Sequence, residues 1–269
     1  MSAARPFLKW AGGKGQLLEQ FKPLFPKQYE RYIEPMVGGG AVFFFLQPEK
    51  AILMDLNAEL MEVYRVVRDN VEELIADLEK HKNEKDYYYA IRNLDPGKLT
   101  PVERASRLIY LNKTCYNGLY RVNRKNKFNV PFGRYKNPDI VNAQGLRAAS
   151  RALKKAELLT GDFSLVLEFA RPGDFIYFDP PYQPLSATSS FTGYTPGSFD
   201  EGEQKRLAGV FKELTRIGSK VMLSNSDTPF VREIYQGFRV QTVYAKRAIN
   251  SRPDRRGSIK ELVILNYTD

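Results

Sequence analysis

Short apolar runs, each closed on its carboxyl side by acidic or turn-forming residues, recur along this chain. They are Tyr32-Ile33 before Glu34-Pro35, Ala51-Ile52-Leu53-Met54 before Asp55, Phe175-Ile176-Tyr177-Phe178 before Asp179, and Lys220-Val221-Met222-Leu223 before Ser224-Asn225-Ser226. Helical patterns lie between several of them, which predicts an α/β fold built on a parallel, crossover-connected sheet. The carboxyl end has a different rhythm: Phe238 to Tyr244 and Glu261 to Tyr267 read as two strands joined by a polar, basic loop, an antiparallel terminal pair. Residues 60–157 break the alternation. Long helical stretches, including Asn57 to Leu78 and Pro101 to Asn112, precede two segments, Tyr116 to Asn123 and Lys127 to Phe132, that flank the turn Arg124-Lys125-Asn126. The pattern predicts a helical insertion bearing a β-hairpin, residues 60–157, within a domain made of residues 1–59 and 158–269. Gln183 to Ser198, rich in Pro, Gly, Ser and Thr, reads as a mobile loop.

Composition narrows the chemistry. The chain has 269 residues, enough for one large domain with an insertion. With 41 Lys and Arg against 31 Asp and Glu, the formal net charge of +10 favours a polyanionic partner. One cysteine, Cys115, excludes an internal disulfide and a cysteine-rich zinc site. The one histidine, His81, lies in Glu79-Lys80-His81-Lys82 and reads as a solvated helix residue, so metal catalysis and histidine triads are poor expectations. No apolar run approaches bilayer-spanning length, and a soluble, cytoplasmic protein is expected.

Candidate chemistry sits where the predicted strands end. Asp179-Pro180-Pro181-Tyr182 follows a buried strand, and a Pro-Pro pair cannot continue a ladder, so the turn leaves the Asp179 carboxylate and nearby carbonyls pointing outward. Open α/β sheets bind ligands at that edge. Glu34-Pro35-Met36-Val37-Gly38-Gly39-Gly40 places three glycines after the first strand, suited to close approach by a ligand or to a tight turn. It is not a G-x-G-x-x-G motif, because Phe43 stands at the last glycine position. Asp55 can accept from ribose hydroxyls or cap a helix. Trp10 and Lys14, in Lys9-Trp10-Ala11-Gly12-Gly13-Lys14, are a core anchor and a charge, or part of a site. Gly161-Asp162-Phe163 offers a carboxylate and an aromatic face, or a strand end.

Together these residues, over nearly the whole chain, resemble the Dam-like DNA adenine N6-methyltransferases in which the cofactor motif precedes the recognition insertion and Asp-Pro-Pro-Tyr follows it. The resemblance rests on Lys9 to Lys14, Glu34 to Gly40, Asp55, Tyr116 to Asn123, Phe128 to Tyr135, Asp179 to Tyr182 and Pro184 to Thr192. It departs at Met36, where the family usually has an aromatic residue. The resemblance implies a Rossmann-like methyltransferase sheet with antiparallel terminal strands, S-adenosylmethionine as methyl donor, double-stranded DNA as substrate and no metal. It implies Trp10, Lys14, Gly38, Gly40, Asp55, Asp162, Phe163 and Asp179 at the cofactor, and Asp179, Pro180 and Tyr182 at the reacting adenine.

Adenine N6 is a poor nucleophile because its lone pair is delocalised into the ring. Acceptors on both N–H groups, the Asp179 side chain and the Pro180 carbonyl, would localise that pair, with Tyr182 stacked on a base flipped out of the duplex. Arg121 suits a bidentate pair with guanine, or, as an isolated arginine more commonly does, a phosphate contact or a surface charge. The resemblance puts Tyr116, Asn117, Leu119, Arg121 and Pro131 in a hairpin that reads GATC, with Arg92 and Arg134 on the DNA backbone. Lys246-Arg247 and Arg252 to Arg256 suit phosphate contacts or a solvated loop, and binding should weaken steeply with salt. The alternatives are a cytosine N4-methyltransferase, which uses a related turn, and a DNA-binding protein without catalysis. A protein-glutamine methyltransferase would call for Asn at 179, and cytosine C5 chemistry would need a cysteine nucleophile in a context unlike that of Cys115.

Overall fold

A computed structural model describes residues 3–125, 127–184, 199–246 and 258–268. Most of the Gln183 to Ser198 loop, the Asn126 position of the hairpin turn, and Arg247 with Arg252 to Arg256 lie outside the described residues. In chain order the helices are α1 (Leu18–Phe21), α2 (Ala41–Leu46), α3 (Ala58–Asp69), α4 (Val71–Leu78), α5 (Lys85–Asn93), α6 (Pro101–Thr114), α7 (Ala143–Leu153), α8 (Val166–Phe169), α9 (Glu201–Ile217) and α10 (Pro229–Ile234). The strands are β1 (Tyr32–Glu34), β2 (Ala51–Asp55), β3 (Ala156–Thr160), β4 (Phe175–Phe178), β5 (Lys220–Ser226), β6 (Arg239–Lys246) and β7 (Ser258–Leu265). No described helix is long and apolar enough to cross a membrane.

The chain divides into two compact units. The first comprises Met1–Gly13, Gly38–Glu49 and Asn57–Thr160; the second comprises Lys14–Val37, Lys50–Leu56 and Gly161–Asp269. In the second unit six strands run in the order β2-β1-β4-β5-β7-β6. β1 pairs in parallel with β2 and β4, and β4 in parallel with β5. β7 is antiparallel to both β5 and β6, the predicted terminal pair. Every residue of β1 and β4 is buried, which explains why these strands read as continuous apolar runs rather than alternating ones. Because the four parallel strands share one direction, Glu34, Asp55, Phe178 and Ser226 all end at the same sheet edge. Chain order reverses direction across β1, with β2 on one side and β4 on the other, so the edge holds a topological switch point where such folds bind ligands.

The first unit is mainly helical. Asn57 caps α3 by accepting from the Leu60 N–H at 3.1 Å. Thr100 and Glu103 cap α6 reciprocally, with Pro101 at its first position. The stretch from Asn57 to Leu78 is not one helix: Asn70 leaves helical geometry at φ −126°, ψ 37° and separates α3 from α4. His81 is not a solvated helix residue either. It lies in the non-helical segment before α5, stacked on Tyr110 at 4.4 Å, with its ring nitrogens 2.9 Å from the Tyr87 hydroxyl and 3.1 Å from Ser106 Oγ. The charged neighbours hid an imidazole that packs as an aromatic.

The hairpin is minimal. Two isolated bridges, Cys115 with Phe132 and Val122 with Phe128, replace a full ladder. Its inward residues do the anchoring: Phe128 and Val130 join Tyr88, Tyr110, Leu111 and Cys115 in one buried cluster, with Tyr120 and Phe132 packed against it. Tyr120 also donates to Glu59 at 2.6 Å.

Candidate active site

β4 delivers Asp179 to the ligand-binding edge of the sheet, and two neighbours hold it there. Lys14 Nζ lies 2.6 Å from Asp179 Oδ1, the lysine side chain only 5% exposed and the aspartate 20%. Ser224 Oγ, on β5, donates to the same oxygen at 3.2 Å and is itself 2.8 Å from the hydroxyl of Tyr177. Both contacts fall on Oδ1, which leaves Oδ2 as the carboxylate oxygen outside them. Burial raises the Asp179 carboxyl above its ordinary range, with Lys14 and Ser224 pulling it back. The balance produces a carboxylate more basic than an exposed one.

Tyr182 is fixed at both ends. Its hydroxyl donates to Glu261 Oε2 of β7 at 2.7 Å, and Lys14 Nζ stands 4.6 Å from its ring centroid. Pro180 is buried and Pro181 exposed. The Pro181 carbonyl accepts from Gln204 Nε2 at 2.8 Å, whereas no described residue donates to the Pro180 carbonyl. Asp179 Oδ2 and the Pro180 oxygen are therefore two acceptors one residue apart on a rigid turn.

At the same sheet edge, Gly161 N–H donates to the Asp55 carbonyl at 3.1 Å, which seats the Gly161-Asp162-Phe163 turn beside the end of β2. Leu56, directly after Asp55, is 73% exposed. An acceptor, an aromatic face and an exposed apolar side chain thus surround the end of β2, a set that fits the ribose and adenine of a nucleoside. Asp162 is engaged: Arg206 Nη1 and Nη2 donate to its two oxygens at 2.6 and 2.8 Å, and the Ser164 N–H and Oγ donate at 3.0 and 2.6 Å. Those bonds, Arg206 first, hold its carboxyl well below the ordinary carboxylate range against the opposing effect of burial. Arg206 also lies over the Phe163 ring at 4.0 Å. For Asp162 to accept from an adenine amine the pair must open; both side chains are more than a third exposed, and such pairs are worth only about 0–1 kcal/mol.

In the first unit Trp10 packs on the glycine turn. A Cβ at Gly38, where φ is +47°, would come within 2.9 Å of Trp10 Cδ1, and one at Gly40, where φ is +66°, within 2.7 Å of the Tyr64 hydroxyl. The glycines admit close approach, and it is Trp10 and Tyr64 that make it. Trp10 in turn stacks on Tyr120 at 5.1 Å.

The hairpin turns its other face outward. Tyr116, Asn117, Leu119, Arg121, Pro131 and Arg134 are all exposed, alternating with the buried anchors described above. Asn117 and Arg134 both have positive φ, 56°. Arg121 Nε donates to Asn129 Oδ1 at 2.7 Å, which orients the guanidinium. Arg92, at the end of α5, donates to the Val130 carbonyl at 3.2 Å and lies 4.7 Å from the Tyr89 centroid, beneath the hairpin rather than on its outer residues. Cys115 is buried and its thiol is pushed up to about 11, mainly by desolvation, which makes it a poor nucleophile. Among the described residues no cluster of His, Cys, Asp and Glu is arranged to hold a metal ion.

Sequence reasoning did not find Ser224, Glu261, Leu56, Arg206 or Gln204. Only Leu56 left a local signal, an apolar residue between Asp55 and a helix-capping asparagine.

Residues 10–249 match the family model of the D12 class N6 adenine-specific DNA methyltransferases. The chain is 46% identical to the type II methyltransferase M.MjaIII of Methanocaldococcus jannaschii, over 98% of this chain and 99% of that protein. It is 45% identical to the type II methyltransferase M1.LlaDCHI of Lactococcus lactis subsp. cremoris, over 98% and 95% of the two. It is 39% identical to the DNA adenine methylase of Haemophilus influenzae, over 97% and 93%.

Proposed function

Since the chain belongs to the D12 class N6 adenine-specific DNA methyltransferases, we propose that it transfers the methyl group of S-adenosylmethionine to an adenine flipped out of double-stranded GATC. The carrying observation is the Asp179 turn, whose Oδ1 is tied to Lys14 and Ser224 while Oδ2 and the Pro180 carbonyl remain as acceptors. S-adenosylmethionine supplies an activated methyl group on a sulfonium. Asp179 Oδ2 accepts a hydrogen bond from one N6–H and the Pro180 carbonyl from the other, which draws the nitrogen lone pair out of the ring; as N6 gains the methyl group and the sulfonium becomes a neutral thioether, N6 gives up one of its two protons. Lys14 keeps the carboxylate in place and Ser224 fixes its rotation, so the acceptors are organised before the base arrives. Tyr182, anchored by Glu261, stacks on the base and offsets part of a flipping cost of roughly a few kcal/mol.

Asp55 receives the ribose hydroxyls, and Asp162 with Phe163 receives the adenine ring, joined by Leu56. The cofactor roles of Trp10, Gly38 and Gly40 rest on the family resemblance. The insertion, residues 60–157, reads DNA: Arg121 pairs with guanine, Leu119 and Pro131 make apolar contacts to base edges, Tyr116 and Asn117 act beside the extruded adenine, and Arg92 and Arg134 contact the backbone. The GATC reading is supported by the match of these hairpin positions to the family.

The test uses purified protein, methyl-labelled cofactor and duplexes with and without one GATC. N6-methyladenine should appear by nucleoside mass spectrometry only in the GATC duplex. Asp179→Ala should abolish transfer while duplex binding persists. Label in cytosine, or near-normal turnover by Asp179→Ala, would overturn the proposal.

A further inference from the structure

Two adjacent prolines have no N–H with which to lock their own turn. Three buried side chains from other elements hold it instead. Gln204, in the first turn of α9, is fully buried, and its Nε2 donates to the Pro181 carbonyl at 2.8 Å. Its Oε1 accepts from Asn225 Nδ2 of β5 at 3.0 Å. Asn225, also fully buried, accepts on Oδ1 from the Gln183 N–H at 3.1 Å and from the Ser226 N–H at 2.8 Å. Ser226 Oγ closes the loop by donating to the Gln183 carbonyl at 2.6 Å. The backbone on both sides of Tyr182 is thus pinned, from Pro181 to Gln183.

The chain of bonds has one direction. A backbone N–H can only donate and a carbonyl can only accept, so the Gln183 N–H fixes Asn225 Oδ1 as acceptor. That makes Asn225 Nδ2 the donor to Gln204 Oε1, and Gln204 Nε2 the donor to Pro181. Neither amide can turn over without breaking a buried bond. A carboxylate at either position keeps the shape and loses the donor.

We propose that Gln204 and Asn225, with Ser226, are positioning residues for methyl transfer: a directional amide relay that holds the Asp-Pro-Pro-Tyr turn in register with its base. None of them needs to touch substrate, and none is exposed enough to do so. The inference rests on the proposed role of the Asp179 turn.

The test is Gln204→Glu and Asn225→Asp in the full chain, measured by single-turnover methyl transfer to a GATC duplex at saturating S-adenosylmethionine. Fluorescence of a duplex carrying 2-aminopurine at the target position reports base extrusion. A misplacement of the turn should slow transfer by about 10- to 100-fold, with duplex affinity, cofactor affinity and extrusion signal unchanged. A wild-type transfer rate in both variants overturns the relay. So does a loss of rate matched by an equal loss of binding, because that marks general structural damage. Should the carboxylate variants fail to fold, Ser226→Ala removes the bond to the Gln183 carbonyl together with the longer 3.4 Å bond to Asn225 Oδ1, and leaves both amides in place; it should slow transfer with binding intact, and a normal rate there also overturns the relay. Asp179→Ala is run alongside: if that variant is active, the reading of the site fails, whereas an inactive Asp179→Ala beside normal Gln204→Glu and Asn225→Asp refutes the relay alone.

Discussion

The Lys14–Asp179 pair makes an energetic claim that a double-mutant cycle can test. At 2.6 Å, with the lysine 5% and the aspartate 20% exposed, it is a largely buried ion pair. Removing one member of such a pair leaves an uncompensated charge and costs about 3–5 kcal/mol when burial is complete. Asp179 keeps some solvent and its bond from Ser224, so Lys14→Met should cost less, about 2–4 kcal/mol by the same principle. Asp179→Asn removes the carboxylate that faces the buried ammonium and should cost a similar amount. The double variant carries neither charge: methionine packs on the Tyr182 ring and the amide can still receive Ser224. Its loss should be about 1–2 kcal/mol, well short of the sum.

The assay is urea unfolding at neutral pH without cofactor or DNA. Independent sites add to within about 0.5 kcal/mol, so additivity at that level refutes the claim that the pair is held together by charge. The pH profile gives a second readout. Burial already raises the Asp179 carboxyl and Lys14 opposes that rise, so in Lys14→Met the acid limb of transfer should move to higher pH. An acid limb that stays put, in a variant retaining measurable activity, would show that Asp179 does not set it.

Three further outcomes follow from the geometry. Gly38→Ala forces a side chain into φ +47° and against Trp10 Cδ1 at 2.9 Å; it should destabilise the protein by about 2–4 kcal/mol and shift the emission of its single tryptophan, read by thermal unfolding and fluorescence. Arg121→Ala should remove about 1–3 kcal/mol of discrimination for the cognate duplex while scarcely changing affinity for a scrambled one; equal loss on both would make Arg121 a phosphate contact. Burial lowers the His81 pKa from 6.5, so the folded state binds its proton less readily than the unfolded one. Stability from this group is complete above about pH 6.5 and falls as pH drops through the lowered folded value. His81→Gln should flatten that part of the stability profile, and an unchanged slope would assign it to other groups.

Much of the fold was legible because burial leaves a mark on the chain itself. β1, β2, β4 and the start of β5 are apolar runs, and the terminal pair showed its change of rhythm, so an α/β sheet with antiparallel last strands could be read directly. Asp179-Pro180-Pro181-Tyr182 was legible for the same local reason, a polar turn closing a buried strand. Less legible was β3, whose Glu157 and Thr160 are exposed, and so was the break at Asn70, where a helical periodicity runs on across a backbone that does not. His81 misled because charged neighbours say nothing about a ring that finds Tyr110 far along the chain.

The sequence by itself determined which residues end strands, and therefore which carboxylates and carbonyls reach the ligand-binding edge. Only the tertiary structure decided what holds them. Lys14 meets Asp179, Ser224 arrives from β5, and Glu261 comes opposite Ser226 through the register of β7, one residue of slip in which would turn it to the other face. Gln204 reaches Pro181 because α9 packs back on β5. Periodicity records whether a side chain is buried, not what it is buried against. Partners far apart in sequence are chosen by strand order and register, which belong to the folded chain as a whole.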